Sequence, residues 1–261
     1  MCLILCAWQA HPDYALIVAA NRDEYFHRPA APAQFWSAQP EILGGRDLEQ
    51  GGTWLGLRTD GRFAAVTNFR RPGELIAGAP SRGALTSAFL QSQHDGGAFL
   101  HALAPAAQHY NGFNLLVTDR HTLWHYSNRG GQPRQVPPGI HGLSNHLLNT
   151  AWPKVVAGKA RLQHLLAGAF SAADLLALLD NTEIPADEAL PDTGVGLERE
   201  RRLGAVRIVS AGYGTRCSTA VLIGHDGSAE FCERSFAEDG SVLDTVGFRF
   251  ALNGAAASGA L

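Results

Sequence analysis

Cys2 carries the side chain with the clearest capacity for nucleophilic chemistry. It stands near the start of an apolar run, residues 1–8, which is bounded by polar residues and Pro12 and is typical of a buried strand. If Met1 is removed, one carbon carries both a thiol and a free α-amine. Because a free cysteine titrates near ~8.5 and an α-amine near ~8, the amine can take the proton of the thiol near neutral pH. The sequence therefore predicts a nucleophile with its own base; the alternative is that Cys2 only packs in the core.

A second apolar run, residues 14–20, ends in the polar tetrad Asn21, Arg22, Asp23 and Glu24. Residues 11–13 separate the two runs and predict the turn of a hairpin. In a tight hairpin the end of the second strand lies beside the start of the first, which places Arg22 and Asp23 near Cys2. We expect Arg22 to favour the thiolate and Asp23 to hold the α-ammonium in place.

The bulk composition fits a globular, cytoplasmic protein with a large core. Of the 261 residues, 46% are hydrophobic and 17% are charged, and a formal net charge of -3 without a basic block argues against nucleic acid as a partner. The four cysteines are too few and too scattered for a disulfide framework, so we expect reduced thiols. No apolar run approaches the roughly 20 residues of a membrane helix, so no membrane insertion is expected. The oligomeric state stays open.

The order of the predicted elements is strands, a helix pair, strands, a second helix pair and strands. Because one sheet cannot cover every apolar face of such a chain, this order predicts an α+β fold, a four-layer αββα sandwich of two antiparallel sheets. We find no clear domain boundary and expect one domain over residues 1–261, with a frayed tail after about residue 253.

Four local expectations concern loops and helix ends. The Pro- and Ala-rich stretch around residues 29–32 predicts a loop, and the glycine pairs at 44–45 and 51–52 predict turns. Ser81 predicts the cap of a helix. Charges of opposite sign alternate over residues 198–202, which predicts a solvated face.

Four motifs together resemble a known family. They are Cys2, the tetrad at 21–24, Gly-Thr-Trp-Leu-Gly at 52–56 and Tyr-Gly-Thr-Arg-Cys-Ser-Thr at 213–219. In this order they resemble the NRDE family, the homologues of the transport and Golgi organisation protein, over nearly the whole chain. That family is similar to the N-terminal nucleophile (Ntn) hydrolases, which implies an αββα sandwich with the nucleophile at the N-terminus of a strand.

Within that superfamily the chain resembles the conjugated bile acid and penicillin V amidases. The resemblance implies a catalytic set that falls here on Cys2, Arg22, Asp23, Asn68, Asn145 and Arg216. The arginine and the aspartate are separated in the amidases and adjacent in this chain. Because adjacent residues of an extended chain point to opposite faces, both reach the site only if the backbone turns there.

The implied reaction is hydrolysis of a linear amide, or of a thioester, of a small acyl substrate, and it requires neither a cofactor nor a metal. The thiolate attacks the carbonyl, and the amides of Asn68 and Asn145 donate to the oxyanion, at ~3 kcal/mol per good donor. The α-amine protonates the leaving group, and water hydrolyses the thioester. Arg216 either binds an anionic end of the substrate or forms an ion pair with a carboxylate. Further ligand-binding residues are expected at Asn21, Glu24, Trp54 and Arg70.

The resemblance also implies a non-catalytic alternative, because eukaryotic relatives of the family are implicated in the handling and trafficking of haem or acyl-coenzyme A. The sequence has no Cys-x-x-Cys-His motif and its one methionine is Met1, so an axial ligand of a bound haem would be a histidine or a cysteine. His121 and His125 share a strand face, which is a weak signal for a metal site. The propionates or phosphates of such ligands would meet arginines at the mouth, namely Arg22, Arg70, Arg71 and Arg82.

Overall fold

The first apolar run forms strand β1 (Cys2–Trp8), and every residue of this strand is buried. The computed structural model describes residues 2–253. β1 pairs antiparallel with β2 (Tyr14–Tyr25), which confirms the expected hairpin. β2 continues through residues 21–24, so the tetrad lies inside a strand and not at its end. The reason is that β11 (Tyr213–Gly224) pairs with the other side of β2 as far as Tyr25.

Two antiparallel sheets form the centre of the molecule. The first sheet adds three strands to β1, β2 and β11, and these are β10 (Gly139–Leu143), β12 (Ser228–Phe236) and β13 (Val242–Ala251). Their spatial order is β10-β1-β2-β11-β12-β13. The second sheet follows chain order through β3 (Ala30–Trp36), β4 (Gln39–Asp47), β5 (Leu55–Arg58), β6 (Phe63–Asn68), β7 (Phe113–Thr118), β8 (Leu123–Ser127) and β9 (Arg134–Val136).

Helices cover the outer face of each sheet. α1 (Gly83–Gln91) and α2 (Gly96–Leu103) lie on the second sheet, whereas α3 (Pro153–Leu165) and α4 (Ala172–Leu178) lie on the first. A further helix, α5 (Leu197–Gly204), and two short 3-10 turns, Ala104–His109 and Asp187–Ala189, belong to the connections. Pro153 is the first residue of α3, and Ser171 forms a capping box with Asp174 at the start of α4.

Three apolar clusters fill the three interfaces between these layers. Ile4 and Cys6 of β1 face the second sheet, whereas Leu3 and Leu5 face the helices α3 and α4. A third cluster lies between the second sheet and its helices and includes the fully buried Phe89. The αββα sandwich of two antiparallel sheets expected from the order of elements is therefore confirmed. By strand alternation, Cys2 belongs to the face of β1 that looks toward the other sheet.

The expectation of a loop around residues 29–32 is wrong, because the chain enters strand β3 there. β3 is an edge strand, and its register with β4 is interrupted between Ala31 and Gln34. An edge strand with such an irregularity tolerates a proline, since Pro32 has no backbone N–H to offer a neighbour.

The glycine pairs behave differently from each other. Gly51 and Gly52 form the expected turn, with φ of +71° and +75°. Gly44 and Gly45 lie inside β4, so the expectation of a turn at this pair is wrong. A Cβ on Gly44 would stand 2.7 Å from the carbonyl oxygen of Leu55, which shows that glycine permits the close approach of the two backbones. The helix cap also differs from expectation, because Arg82 precedes α1 and no side chain caps it.

The alternating charges of α5 do not form a uniformly solvated face. Glu198 pairs with Arg202 at the surface, but Glu200 is buried. Its carboxylate lies 2.5 Å from a guanidinium nitrogen of Arg70, which is also buried. A buried partner from a distant part of the chain therefore overrides the surface pattern.

The frayed tail expected after about residue 253 lies outside the described residues. Within residues 2–253 no helix has the length and apolar character needed to cross a membrane.

Candidate active site

One row of side chains crosses five adjacent strands of the first sheet and forms the floor of a cavity. The register partners along this row are Cys2, Arg22, Cys217, Ser235 and Asp244. All five line one cavity of about 680 Å³. Directly opposed residues of an antiparallel pair point to the same face, so the row presents two thiols and one guanidinium to the same space.

The other walls of the cavity come from the second sheet and from the loops beside it. Trp54, Val66 and Asn68 contribute from the region of β5 and β6. The segment 76–83 and parts of β3 and β4 complete the walls. The cavity therefore opens between the two sheets, at the end of the sandwich where β1 begins.

The Cys2 thiol is mostly buried but faces this cavity. The residue is 7% exposed. Its sulfur accepts a hydrogen bond from the backbone N–H of Asp23. Ser144 Oγ donates to the carbonyl oxygen of Cys2 at 3.0 Å, which fixes the backbone at the start of β1.

Burial raises the pKa of the Cys2 thiol above its ordinary value, and the charge of Asp23 adds to this rise. The guanidinium of Arg22 acts in the expected direction, because it lowers the same pKa, but it does not outweigh burial. The resting thiol is therefore protonated near neutral pH.

Arg22 is 8% exposed and lines the cavity between Cys2 and Cys217. In the described part of the chain, its guanidinium takes part in no ion pair or hydrogen bond. A buried guanidinium is costly unless it is paired. The cavity therefore offers a cation that an anionic or carbonyl group of a ligand can engage.

Asp23 is buried, and its carboxylate oxygen Oδ1 accepts a hydrogen bond from Thr215 Oγ1 at 2.6 Å. Burial raises the pKa of this carboxyl group, although the charges of Lys154 and Arg70 oppose the rise. Both Arg22 and Asp23 line the cavity without a turn in β2. The irregularity lies in the neighbouring strand.

β11 has a bulge at Arg216, opposite Arg22 and Asp23. Thr215 pairs with Asp23 and Cys217 pairs with Arg22, which leaves Arg216 as the extra residue. Its guanidinium nitrogen Nη1 donates to the carbonyl oxygens of Tyr25 and Arg28 at 2.8 and 2.9 Å. Arg216 lines the cavity. Among the described residues, backbone carbonyls and not a carboxylate hold its guanidinium, so the expected ion pair is not formed, and binding of an anionic end of the substrate stays a prediction.

Only one of the two expected oxyanion donors lines the cavity. Asn68 does so. Asn145 is fully buried, and its side-chain nitrogen donates to the carbonyl oxygen of Asn68 at 3.0 Å. Asn145 therefore holds the backbone of Asn68 in place and is not among the residues that line the cavity.

The four expected ligand-binding residues divide into two pairs. Glu24 and Trp54 line the cavity. Asn21 points to the helix layer, where its amide donates to the carbonyls of Leu179 and Val206 at 3.2 and 2.8 Å. A fully buried amide with these partners supports the fold, and Asn21 is not among the residues that line the cavity.

Arg70 also lies away from the lining of the cavity. It pairs with Glu200, and its guanidinium stacks over the ring of Trp152 at 4.6 Å. Arg71 is exposed and pairs with Glu74, whereas Arg82 lines the cavity. Of the four arginines expected at the mouth to meet haem propionates or coenzyme A phosphates, Arg22 and Arg82 therefore line the cavity.

No sequence pattern predicts two of the charged residues near Cys2. Glu233 lines the cavity and is buried; its carboxylate accepts from the backbone N–H of Ala33 at 2.7 Å and from the thiol of Cys217. Lys154 is buried, and its charge acts on both Cys2 and Asp23. Both reach the site through contacts between distant segments, which no local pattern encodes.

The two histidines considered as metal ligands do not meet. His125 is hydrogen-bonded to Asn114, and burial lowers its pKa to about 4. His121 lines a separate cavity of about 140 Å³ with Trp8, at the other end of β1. Across residues 2–253 no group of three or more histidine, cysteine or acidic side chains is arranged to hold a metal ion.

Comparisons with known proteins give one family and several relatives. The family model described as Transport and Golgi organisation 2 matches residues 1–238. The bovine Transport and Golgi organization protein 2 homolog (Bos taurus) is 40% identical, over 90% of this chain and 93% of the bovine protein. The human homolog (Homo sapiens) is 38% identical, over 97% of this chain and 99% of the human protein.

Two solved structures are similar to the chain at a lower sequence identity, 11% in both cases. One is the Caenorhabditis elegans ortholog of N-acylethanolamine-hydrolyzing acid amidase, with a TM-score of 0.47 and 11% identity over 84% of this chain and 92% of the other. The other is a C2A mutant of the conjugated bile acid hydrolase from Clostridium perfringens, with a TM-score of 0.43 and 11% identity over 99% of this chain and 94% of the other.

Proposed function

The chain belongs to the Transport and Golgi organisation 2 family, and from its own cavity we propose that it is a cysteine hydrolase of the N-terminal nucleophile type. Cys2 is the nucleophile after removal of Met1, and the substrate is a linear amide or thioester of a small acyl group. The observation that carries the proposal is the pairing of Cys2 with Arg22 on the floor of the cavity. A thiol beside a buried cation, open to a space of about 680 Å³, supports nucleophilic attack on a ligand carbonyl.

The attack step follows from the resting state of the thiol. Because burial keeps the Cys2 thiol protonated, the proton leaves as the sulfur–carbon bond forms, and the α-amine of Cys2 receives it. The carbonyl oxygen gains the negative charge. Arg22 and the amide of Asn68 line the same cavity and supply the donors for that charge.

The second half of the cycle returns the proton and releases the acyl group. The α-ammonium protonates the leaving nitrogen or sulfur as its bond to the acyl carbon breaks, which leaves a thioester on Cys2. Water then attacks the thioester, and the thiol recovers its proton. Asp23 lies beside the start of β1 and holds the α-ammonium during these steps. The reaction uses no cofactor, and the free thiols of the described residues support a reducing compartment, which we take to be the cytoplasm.

The test combines processing with turnover. Intact mass of the protein from its own source shows whether Met1 is absent. The wild-type protein and Cys2→Ala are then compared across a panel of linear acyl amides and acyl thioesters of increasing chain length. Cys232→Ala is the matched control, because Cys232 is a half-buried cysteine outside the cavity. Turnover in the wild type and the control but not in Cys2→Ala supports the proposal; a wild type no faster than Cys2→Ala contradicts it.

The arginines of the cavity favour a second candidate, binding and trafficking of acyl-coenzyme A or haem without catalysis. Five of them line it: Arg22, Arg28, Arg46, Arg82 and Arg216. The coenzyme A phosphates or the haem propionates would pair with Arg22 and Arg82. Among the described residues that line the cavity, Cys2 and Cys217 carry sulfur. Either of them would be the axial ligand of a bound haem.

Calorimetry with an acyl-coenzyme A and spectral titration with haem decide the second candidate. Binding in the wild type that weakens at least 10-fold in Arg22→Gln, with Arg249→Gln as the exposed control, supports it. Dissociation constants above about 100 μM for both ligands contradict it; this threshold corresponds to about 5.5 kcal/mol of binding free energy.

A further inference from the structure

Four charged side chains are buried together beside the start of β1. They are Asp23, Arg70, Lys154 and Glu200. They come from β2, from the segment after β6, from α3 and from α5. Buried charges are retained only where they are paired or serve another group, so each of the four requires a partner.

Arg70 and Glu200 satisfy each other. Their charged groups lie 2.5 Å apart, and Glu200 also accepts from the backbone N–H and the hydroxyl of Thr193 at 2.9 and 2.5 Å. Lys154 has a different kind of partner. Its ammonium donates to the carbonyl oxygen of Leu203 at 2.9 Å, and a neutral carbonyl does not cancel its charge.

The position of Lys154 in α3 is unfavourable for a cation. The residue is 3% exposed and is the second residue of the helix. The first turn of a helix carries the positive end of the helix dipole, which disfavours a positive side chain. Neither burial nor helix stability therefore explains a lysine there. The charge must act on another group.

The Lys154 charge acts on two such groups, the Asp23 carboxylate and the Cys2 thiol. We propose that Lys154 is a positioning residue for the candidate active site: its buried ammonium offsets the negative charge of Asp23 beside Cys2 and stabilises the Cys2 thiolate. The inference rests on the proposed nucleophilic role of Cys2, but the electrostatic effect of Lys154 on Cys2 is measurable without turnover.

The charges around Lys154 agree with this role. Burial lowers its pKa to about 8, whereas the charges of Asp23, Cys2 and Glu200 oppose the decrease and Arg70 adds to it. Lys154 is therefore charged below about pH 8 and loses its charge above it. Its effect on Cys2 is present at neutral pH and fades as the pH rises past that value. An arginine would not titrate in this range.

The chain offers an internal control for this lysine. It contains two lysines, Lys154 and Lys159, and both lie on α3. Lys159 donates to Asn149 Oδ1 at 3.1 Å in an exposed position, so it shares the helix but not the burial. A variant at each position therefore separates the effect on Cys2 from general effects on α3.

The first measurement is the pH dependence of Cys2 alkylation by iodoacetamide. Fragmentation of the N-terminal peptide separates Cys2 from Cys6, which lies in the same peptide. The alkylation rate at pH 7, where Lys154 is charged, is expected to fall about 10-fold in Lys154→Met and to stay unchanged in Lys159→Met, and the difference should shrink as the pH rises past about 8. Equal alkylation rates at pH 7 in the wild type and Lys154→Met overturn the inference, whatever the turnover of either protein.

A second measurement covers the case in which Lys154→Met does not fold. Biosynthetic labelling of the lysine ε-carbon with ¹³C gives two side-chain signals, because the chain has two lysines. The titration midpoint of Lys154 is expected to fall in Asp23→Asn, since the carboxylate no longer stabilises the ammonium. The Lys159 signal is the internal reference. Identical Lys154 midpoints with and without Asp23 overturn the inference.

Discussion

Cys2 and Arg22 are register partners across β1 and β2, and both side chains line the same cavity. Opposed residues of an antiparallel pair have Cα atoms about 5 Å apart. The thiol and the guanidinium are therefore held together by the backbone of two buried strands. No mobile loop is needed to assemble them.

Removal of the Arg22 charge should make Cys2 less reactive. Arg22 lowers the pKa of the Cys2 thiol against the effect of burial, so Arg22→Gln is expected to raise it further. Alkylation of Cys2 at pH 8 should slow by several-fold, as measured by iodoacetamide labelling and mass spectrometry. Arg249→Gln, at an exposed arginine of β13, is the control and should match the wild type. Equal labelling rates in Arg22→Gln and the wild type would count against the assignment.

The buried ion pair between Arg70 and Glu200 should dominate the stability contributed by α5. Glu200→Ala leaves the Arg70 cation without its carboxylate partner, which is expected to cost about 3–5 kcal/mol of unfolding free energy in urea. Glu198→Ala removes a surface pair from the same helix and should have little effect. Similar midpoints for the two variants would show that the buried pair contributes no more than the exposed one.

Acid should destabilise the protein through His125. Burial lowers the pKa of His125 to about 4, below the unfolded value of 6.5. Because the folded protein holds the ring neutral, its contribution to the unfolding free energy is fully present above pH 6.5 and is lost as the pH falls toward 4. Relative to His125→Gln, the wild type should lose about 3 kcal/mol between pH 7 and pH 4. Urea unfolding across this range checks the prediction; a constant difference between the two proteins contradicts it.

Two adjacent glycines should respond differently to the same substitution. Gly51 and Gly52 both have positive φ, so alanine at either position costs about 1 kcal/mol in backbone strain. A Cβ on Gly52 would also stand 2.6 Å from the carbonyl oxygen of Gly83, whereas nothing lies within 4 Å of a Cβ on Gly51. Gly52→Ala should therefore be clearly the less stable of the two in thermal unfolding. Equal melting temperatures would mean that the turn moves freely away from α1.

The sequence predicts the parts of this site that depend on short-range structure. The apolar runs and the turn between them place Arg22 beside Cys2, and the alternation of strands and helix pairs leads to the αββα layers. Both inferences use neighbouring elements only. Neither needs the pairing of distant strands.

The remainder depends on contacts between distant segments. Cys217 and Ser235 join the row because β11 and β12 pair beside β2, nearly 200 residues later. Lys154 and Glu200 look like ordinary surface charges in the sequence, yet both are buried. Register between distant strands and burial of a lone charge are set by tertiary packing, which local patterns do not contain.

Covalent trapping of Cys2 by an activated acyl ester tests its role as the nucleophile most directly. The protein is incubated with a p-nitrophenyl ester of a linear fatty acid, quenched in acid and analysed by intact mass and peptide fragmentation. One acyl group is expected on Cys2 in the wild type and in Cys232→Ala, and none in Cys2→Ala. An acyl group on another residue, or equal labelling of the wild type and Cys2→Ala, would contradict the claim that Cys2 is the nucleophile.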